Sequence, residues 1–322
     1  MEGFANNWHF AAHKSQLSGK SAVELGHLER MMGESIVLAE GDEIRCMSNV
    51  CTHRGMLLVD GSCSNKTLHC PYHGRTFGLD GRMKSMPEFD QVEDFPTAQD
   101  DLRIFPSLFW KGLVFTGIKP SGMEACLEEM EGRIGWMPIE TFEHDISRNR
   151  CYEIRANWAL YVDNYLEGFH IPFVHNDLNR ALDYDNYRTE IFDGGVLQIG
   201  IASDGEPTLE IPEESPDFGL NVAAYYYWIF PGLMLNFYPW GLSVNLVVPL
   251  SVDRTRVEYH GFVWDKKLLG KGAGGDLDKV EAEDQYVVES TQRGVSSGSY
   301  ERGRYSPTKE TGVHHFHRML TS

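Results

Sequence analysis

Two short segments, Cys51-Thr52-His53 and Cys70-Pro71-Tyr72-His73, each offer one thiolate and one imidazole, with sixteen residues between them. A structural zinc site usually draws its cysteines from one knuckle and its histidines from another. Here each segment is mixed. Two mixed loop tips can hold a [2Fe–2S] cluster from opposite sides, both cysteines on one iron and both histidines on the other. A four-coordinate zinc ion has no need of that split. Gly55 and Gly74 follow the histidines and Pro71 stiffens the second segment, as suits loop tips that approach inorganic sulfides closely.

A second group of metal-binding types lies in the middle of the chain. Glu167 and His170 stand at i and i+3 in a stretch of helical periodicity, so they share a face; His175 follows five residues on, after Pro172 interrupts the helix. Two imidazoles can then converge on one point. Two histidines and one carboxylate with open positions make the facial triad of non-haem iron(II) oxygenases. The carboxylate must come from elsewhere, and a long C-terminal helix offers Glu281, Glu283 and Asp284. Taken alone, His170 reads sooner as a core histidine bonded to a carbonyl, and the acidic cluster as a solvated helix face.

These residues need two different scaffolds. Up to about Gly117 the pattern is one of short strands and turns: Ser35 to Ala39 and Glu43 to Val50 flank Gly41-Asp42 as a hairpin, Phe77 to Arg82 contains a turn, and Leu113 to Phe115 reads as a last buried strand. Lys119-Pro120-Ser121-Gly122 has linker composition. Beyond it a short helix is expected from Met123 to Glu131, a strand from Cys151 to Ile154, and a buried helix from Asn157 to about Phe169. Strands at Val196 to Ile201, Ala223 to Phe230, Leu233 to Pro239, Leu242 to Val248 and Arg256 to Trp264 form an antiparallel run. A long helix then runs from Asp276, an N-cap, to Gly294, a C′ residue. Gly272 to Gly275 follows no clear strand and carries no Lys-Ser/Thr, so it reads as a flexible loop rather than a phosphate cradle.

At 322 residues the chain has core enough for two domains. A formal charge of -18 and a pI near 5.1 argue against nucleic acid or an anionic membrane as partner. The six cysteines, two already assigned to iron, show no disulfide framework, which points to a reducing, cytoplasmic compartment. Met1 to Phe10 lacks the pattern of a signal peptide. The longest apolar stretch, Tyr225 to Trp240, is broken by Pro231, Gly232 and Pro239 and is no membrane span.

In this order the parts resemble the catalytic α subunits of Rieske non-haem iron oxygenases over nearly the whole chain. The resemblance rests on Cys51-Thr52-His53-Arg54-Gly55, Cys70-Pro71-Tyr72-His73-Gly74-Arg75, Asn157-Trp158, Asp163 to His170, and His175. It implies an all-β Rieske domain over 1–118 and an α+β catalytic domain over 119–322, the latter an antiparallel sheet covered by helices in a helix-grip, START-like arrangement. It implies Cys51, His53, Cys70 and His73 on the [2Fe–2S] cluster and His170, His175 and Asp284 on a mononuclear Fe(II), with Glu281 as the fallback carboxylate. Respiratory-chain Rieske proteins, which the chain resembles less, carry an extra disulfide-forming cysteine in each segment, where Met56 and Tyr72 stand here.

The same resemblance implies O2 as co-substrate and NAD(P)H acting only through a separate reductase, since no dinucleotide fingerprint or plant-type ferredoxin run is present. Glu167, Glu here where many ring hydroxylases have Asp, is implied to join an iron histidine to His73 of a neighbouring subunit, which makes a homotrimer the working unit. The aromatic run Tyr225 to Phe230 and the segment Asn236 to Trp240 can stack on a ring or surround a quaternary ammonium. The segment from Pro231 through Asn236, Tyr238 and Trp240 to Asn245 looks similar to that of choline, glycine-betaine and carnitine oxygenases. Trp228, Asn236, Tyr238 and Asn245 are therefore expected in the pocket, and the reaction is expected to be hydroxylation or oxidative N-demethylation of a small quaternary ammonium compound. An aromatic-ring hydroxylase and a non-catalytic Rieske electron carrier are the alternatives. His314, His315 and His317 are read as surface or docking residues.

Overall fold

The computed structural model describes residues 6–321; residues 1–5 of the stretch inspected for a signal peptide, and residue 322, lie outside them. The chain divides between Ser121 and Gly122 into two compact units.

Among the described residues the first unit is built from short antiparallel strands and one α-helix, α1 (Gly26–Met32). The expected hairpin pairs Ile36–Glu40 with Ile44–Ser48, Ile36 opposite Ser48 and Glu40 opposite Ile44. A second hairpin, Thr67–His69 with Thr76–Gly78, carries the Cys70 segment at its turn. Val37, Met47, Leu68, Phe77 and Leu102 close a core into which Cys51 and Cys70 project. Each cysteine is thus anchored in packed apolar matter while the rest of its loop faces outward.

The second unit is one eight-stranded antiparallel sheet with helices against it. Its strand order is Glu143–His144, Arg254–Val263, Gly241–Ser251, Leu233–Tyr238, Val222–Ile229, Gly195–Ile201, Arg188–Phe192, and Arg150–Ile154 also pairs with Arg254–Val263. The helices are α2 (Glu124–Ile134), α3 (Trp158–Tyr165), α4 (Ile171–Val174), α5 (Asn176–Ala181), α6 (Leu277–Val295) and α7 (Thr311–Thr321). Tyr161 and Val162 of α3, Val288 of α6 and Phe316 of α7 share a core with Val196, Trp228, Met234 and Val247 of the strands. Behind the sheet, Tyr225 donates to Asp217 at 2.8 Å, and Asp217 pairs with Arg133 of α2. This is the expected α+β arrangement.

Three features differ from the sequence reading. Two edge strands, Glu143–His144 and Arg188–Phe192, escape a hydrophobicity pattern because the first is two residues long and the second has no fully buried position. Helix α6 runs one residue past Gly294. The expected helix to Phe169 ends at Tyr165, capped by Leu166. Gly168 follows the break: a Cβ there would lie 2.7 Å from the Tyr187 ring, so the chain passes Tyr187 with no side chain. Pro172 falls in the first turn of α4, where a missing N–H leaves no bond unmade.

Candidate metal centres and substrate pocket

The two cysteine loops share one backbone turn. Gly55 N–H donates to Cys51 O at 2.9 Å and Gly74 N–H to Cys70 O at 3.0 Å, while Cys51 and Cys70 donate to Met56 O and Arg75 O, each at 2.8 Å. Both glycines sit at φ +75°, the left-handed region that a side chain disfavours. The histidine falls second after the first cysteine and third after the other. Arg75 holds the two tips together: its guanidinium donates to the Thr52 hydroxyl at 2.9 Å and to Asp100 at 2.6 Å. The Asp100 carboxyl is held below its ordinary range by the Thr97 backbone N–H and by Arg75.

The two thiols are buried and neighbour one another, whereas His73 is exposed and His53 half-buried. The two imidazole rings lie 4.8 Å apart between centroids. Burial pushes the Cys51 thiol up, a shift to which Cys70 adds and which the His53 backbone N–H opposes. Desolvation, then the charge of His73, pulls His53 down, which favours the neutral imidazole that a metal needs. Two thiols at the base and two imidazoles at the rim suit a two-iron cluster with split ligation. No disulfide forms, and Met56 and Tyr72 are exposed; the Tyr72 ring lies 3.8 Å from that of His73.

In the second unit one nitrogen each of His170 and His175 and a carboxylate oxygen of Asp284 all lie within 4.8 Å of one another. The Nε2 atoms of His170 and His175 are 3.2 Å apart, and Asp284 Oδ1 is 3.0 Å from His175 Nε2 and 3.6 Å from His170 Nε2. No shared proton satisfies three such groups at once, whereas a divalent cation does. The remaining nitrogens are held from behind. Glu167 Oε1 is 2.6 Å from His170 Nδ1, and its other oxygen accepts the His170 backbone N–H at 3.0 Å. Glu283 Oε2 is 2.7 Å from His175 Nδ1, and Asn164 donates to Asp284 Oδ1 at 2.7 Å. Burial pulls His175 down, but Asp284 and Glu283 outweigh it and the net shift is upward.

Asp284, not Glu281, thus joins the two histidines. Glu281 is buried one turn away, where it accepts from Tyr161 at 2.7 Å, from Tyr259, and from Gln285 at 3.1 Å. Burial raises its carboxyl to about 7 against the donors' opposition. Glu283, which the sequence offers as one acid among three, instead orients His175.

The three groups open on a cavity enclosing about 770 Å³ of unfilled space, its mouth included. Asn236, Tyr238 and Asn245 line it as expected, with Gln198 and the tyrosines 161, 165, 187, 226 and 259. Trp228 does not. It lies on the same sheet face, but in the transverse row Val196–Trp228–Met234, and the rings of Phe316 and Phe230 cover it at 5.2 and 6.0 Å. Trp240 stacks behind Tyr238 at 5.2 Å and bonds Gly274 O. His317 is likewise not a free surface residue: its Nε2 lies 2.8 Å from Asp163 and so fastens α7 to α3. Gln198 and the tyrosines 161, 165, 187 and 259 were not singled out as pocket residues from the sequence, whereas Tyr226 lies in the aromatic run that was; a glutamine inside an apolar strand is the one signal that marks Gln198.

The profile of the Rieske [2Fe–2S] domain matches residues 7–96, and that of the ring-hydroxylating α subunit (catalytic domain) matches residues 136–322. The chain belongs to the ring-hydroxylating oxygenase α-subunit family. This oxygenase is similar to the chloroplastic choline monooxygenase of Beta vulgaris, 28% identical over 98% of this chain and 72% of that one. It is similar also to the carnitine monooxygenase oxygenase subunit of Escherichia coli K12, 29% identical over 98% and 87%. Among solved structures, a quaternary ammonium Rieske monooxygenase superposes with a TM-score of 0.80 at 26% identity, over 98% of this chain and 88% of that one. The chain is therefore an enzyme of the Rieske non-haem iron class, and the catalytic domain decides against a bare electron carrier. As an oxygenase component it takes electrons from a separate reductase and acts on a small molecule. Among the described residues no helix is long and apolar enough to cross a membrane.

Proposed function

We propose that this α subunit is the terminal component of an oxygenase that hydroxylates or oxidatively N-demethylates a small quaternary ammonium compound. The observation that carries this reading is the pocket lining: six tyrosines, the carboxylates of Glu167, Glu281 and Asp284, and no lysine or arginine. Aromatic faces attract a cation that keeps no N–H to donate, and a buried carboxylate complements its charge. The choline and carnitine monooxygenases among its relatives support the same class.

In this reading Cys51 and Cys70 hold one cluster iron, His53 and His73 the other, and His170, His175 and Asp284 hold the mononuclear iron. When bound, the cluster supplies single electrons and the iron activates dioxygen beside the substrate. The rest is done by the chain. Glu167 and Glu283 fix the tautomers of His170 and His175, so that each presents Nε2 to the same point. Tyr161, Tyr259 and Glu281 form a hydrogen-bonded wall, and Tyr165 donates to Asn236 at 2.5 Å, which holds the floor in one geometry.

We further propose that Glu167 links His170 to His73 of a neighbouring subunit in a homotrimer, that domain functions divide at 118/119, and that the enzyme works in the cytoplasm. Supporting these are the inward turn of Glu167 onto His170, the linker at Lys119 to Gly122, and six cysteines free of disulfides. Oxygen uptake by the enzyme with its electron supply tests the substrate class. Uptake is expected with betaines and choline; uptake only with aromatic acids would overturn the proposal.

A further inference from the structure

Gln198 lies in the strand Gly195–Ile201, 2% exposed, and begins the row Gln198–Tyr226–Asn236–Ser243 that crosses four strands. A buried amide is destabilising unless its polar atoms are paired. Its Nε2 donates to the main-chain carbonyl of Tyr165 at 2.6 Å. That carbonyl closes α3 and has no partner within the helix. A carbonyl can only accept, so the amide orientation is fixed, with nitrogen towards Tyr165 and Oε1 on the other side. Oε1 is buried and meets no donor from the protein, and Gln198 lines the cavity. A ligand that brings a donor completes it.

The charges around the cavity narrow the ligand further. No lysine or arginine lines it, so a carboxylate on the substrate would meet no cationic side chain. We infer that Gln198 is a specificity-determining residue: its Oε1 accepts a hydrogen bond from a substrate hydroxyl, so the site prefers quaternary ammonium alcohols to the corresponding carboxylates. This inference rests on the quaternary ammonium reading above.

The test is a cycle of protein and ligand. Calorimetry on the oxidised, iron-loaded enzyme measures the Kd of choline, of its O-methyl ether, which accepts but cannot donate, and of glycine betaine. The wild type is expected to bind choline about ten-fold more tightly than either analogue. In Gln198→Leu the preference for choline over the ether is expected to fall within about two-fold, the ether's own affinity changing little. A purely structural role would weaken alcohol and ether alike and leave their ratio unchanged, which would overturn the inference. Glycine betaine binding the wild type as tightly as choline would overturn it without any variant, while leaving the quaternary ammonium reading in place. No binding of any of the three would overturn both.

Discussion

His175 is gripped from both ends by two successive residues of α6, Glu283 at Nδ1 and Asp284 at Nε2. Asp284 lies on the Nε2 side that faces His170, whereas Glu283 meets the outer Nδ1, the place of a residue that would set ring orientation and basicity. Glu283→Gln is expected to weaken retention of the mononuclear iron by roughly 10–100-fold while the cluster stays loaded, as read by iron and labile sulfide after dialysis against a mild chelator. Unchanged retention would contradict the assignment. Glu281 gives a pH signature. In protein stripped of its mononuclear iron its carboxyl keeps a proton to about pH 7, against an ordinary value of 4.5. The folded state then binds more protons than the unfolded chain between those values, so this group's contribution to stability falls as pH rises through that window. The fall is on the order of 3 kcal/mol, and urea unfolding of Glu281→Gln at several pH values is expected to lack it. Which of Glu281, Glu283 and Asp284 meets the histidines was not legible from spacing alone. The rotation of α6 is set by Val288 packing under α3 and α7, a tertiary fact.

At the scale of elements, the cluster depends on two loops keeping a fixed separation, and one buried side chain bridges them. Arg75 is 2% exposed and joins Thr52 of the first loop to Asp100. Arg75→Met removes the donor to Asp100 Oδ1 and to the Thr52 hydroxyl, while Thr97 still donates to Asp100 Oδ2, at roughly 1–2 kcal/mol of stability. Loss of the cluster's visible absorption during mild heating is expected to come several degrees earlier than in wild type, and an unchanged loss temperature would count against the bridge. Both cluster loops were legible because their ligands are local in sequence and their glycines demand one backbone conformation. The pocket was less legible. Val222–Ile229 is buried on both faces, so its Ala-Ala-Tyr-Tyr-Tyr-Trp run has no period-two contrast to separate cavity from core. Trp228 was misplaced because it shares a sheet face with Tyr226, and only its position along the strand separates core from cavity. The helix to Phe169 was overrun because its apolar spacing continues through Gly168, where the chain passes the Tyr187 ring with no side chain.

At the scale of the whole molecule, two units carry two redox sites, and the proposal requires a relay that a single chain need not contain. Glu167 is its centre. Glu167→Gln keeps a side chain of the same shape on His170 but loses the charge that binds an imidazolium-like ring. The variant is expected to load both metal sites and accept reductase electrons into its cluster, yet to lose roughly 100-fold of substrate oxidation, as product formed per oxygen consumed. Full coupled turnover would remove Glu167 from the path. The order of domains could be read along the chain, since each motif is compact. The pocket could be read only in part, because its walls come from α3, α6 and five strands that meet only on folding. The most direct test of the account is stopped-flow absorbance of the chemically pre-reduced enzyme mixed with oxygen, with and without choline or a betaine. The account predicts that the quaternary ammonium compound accelerates cluster oxidation and yields oxidised product in proportion to the electrons lost. Cluster oxidation at the same rate with and without it, or acceleration by aromatic acids alone, would contradict the account.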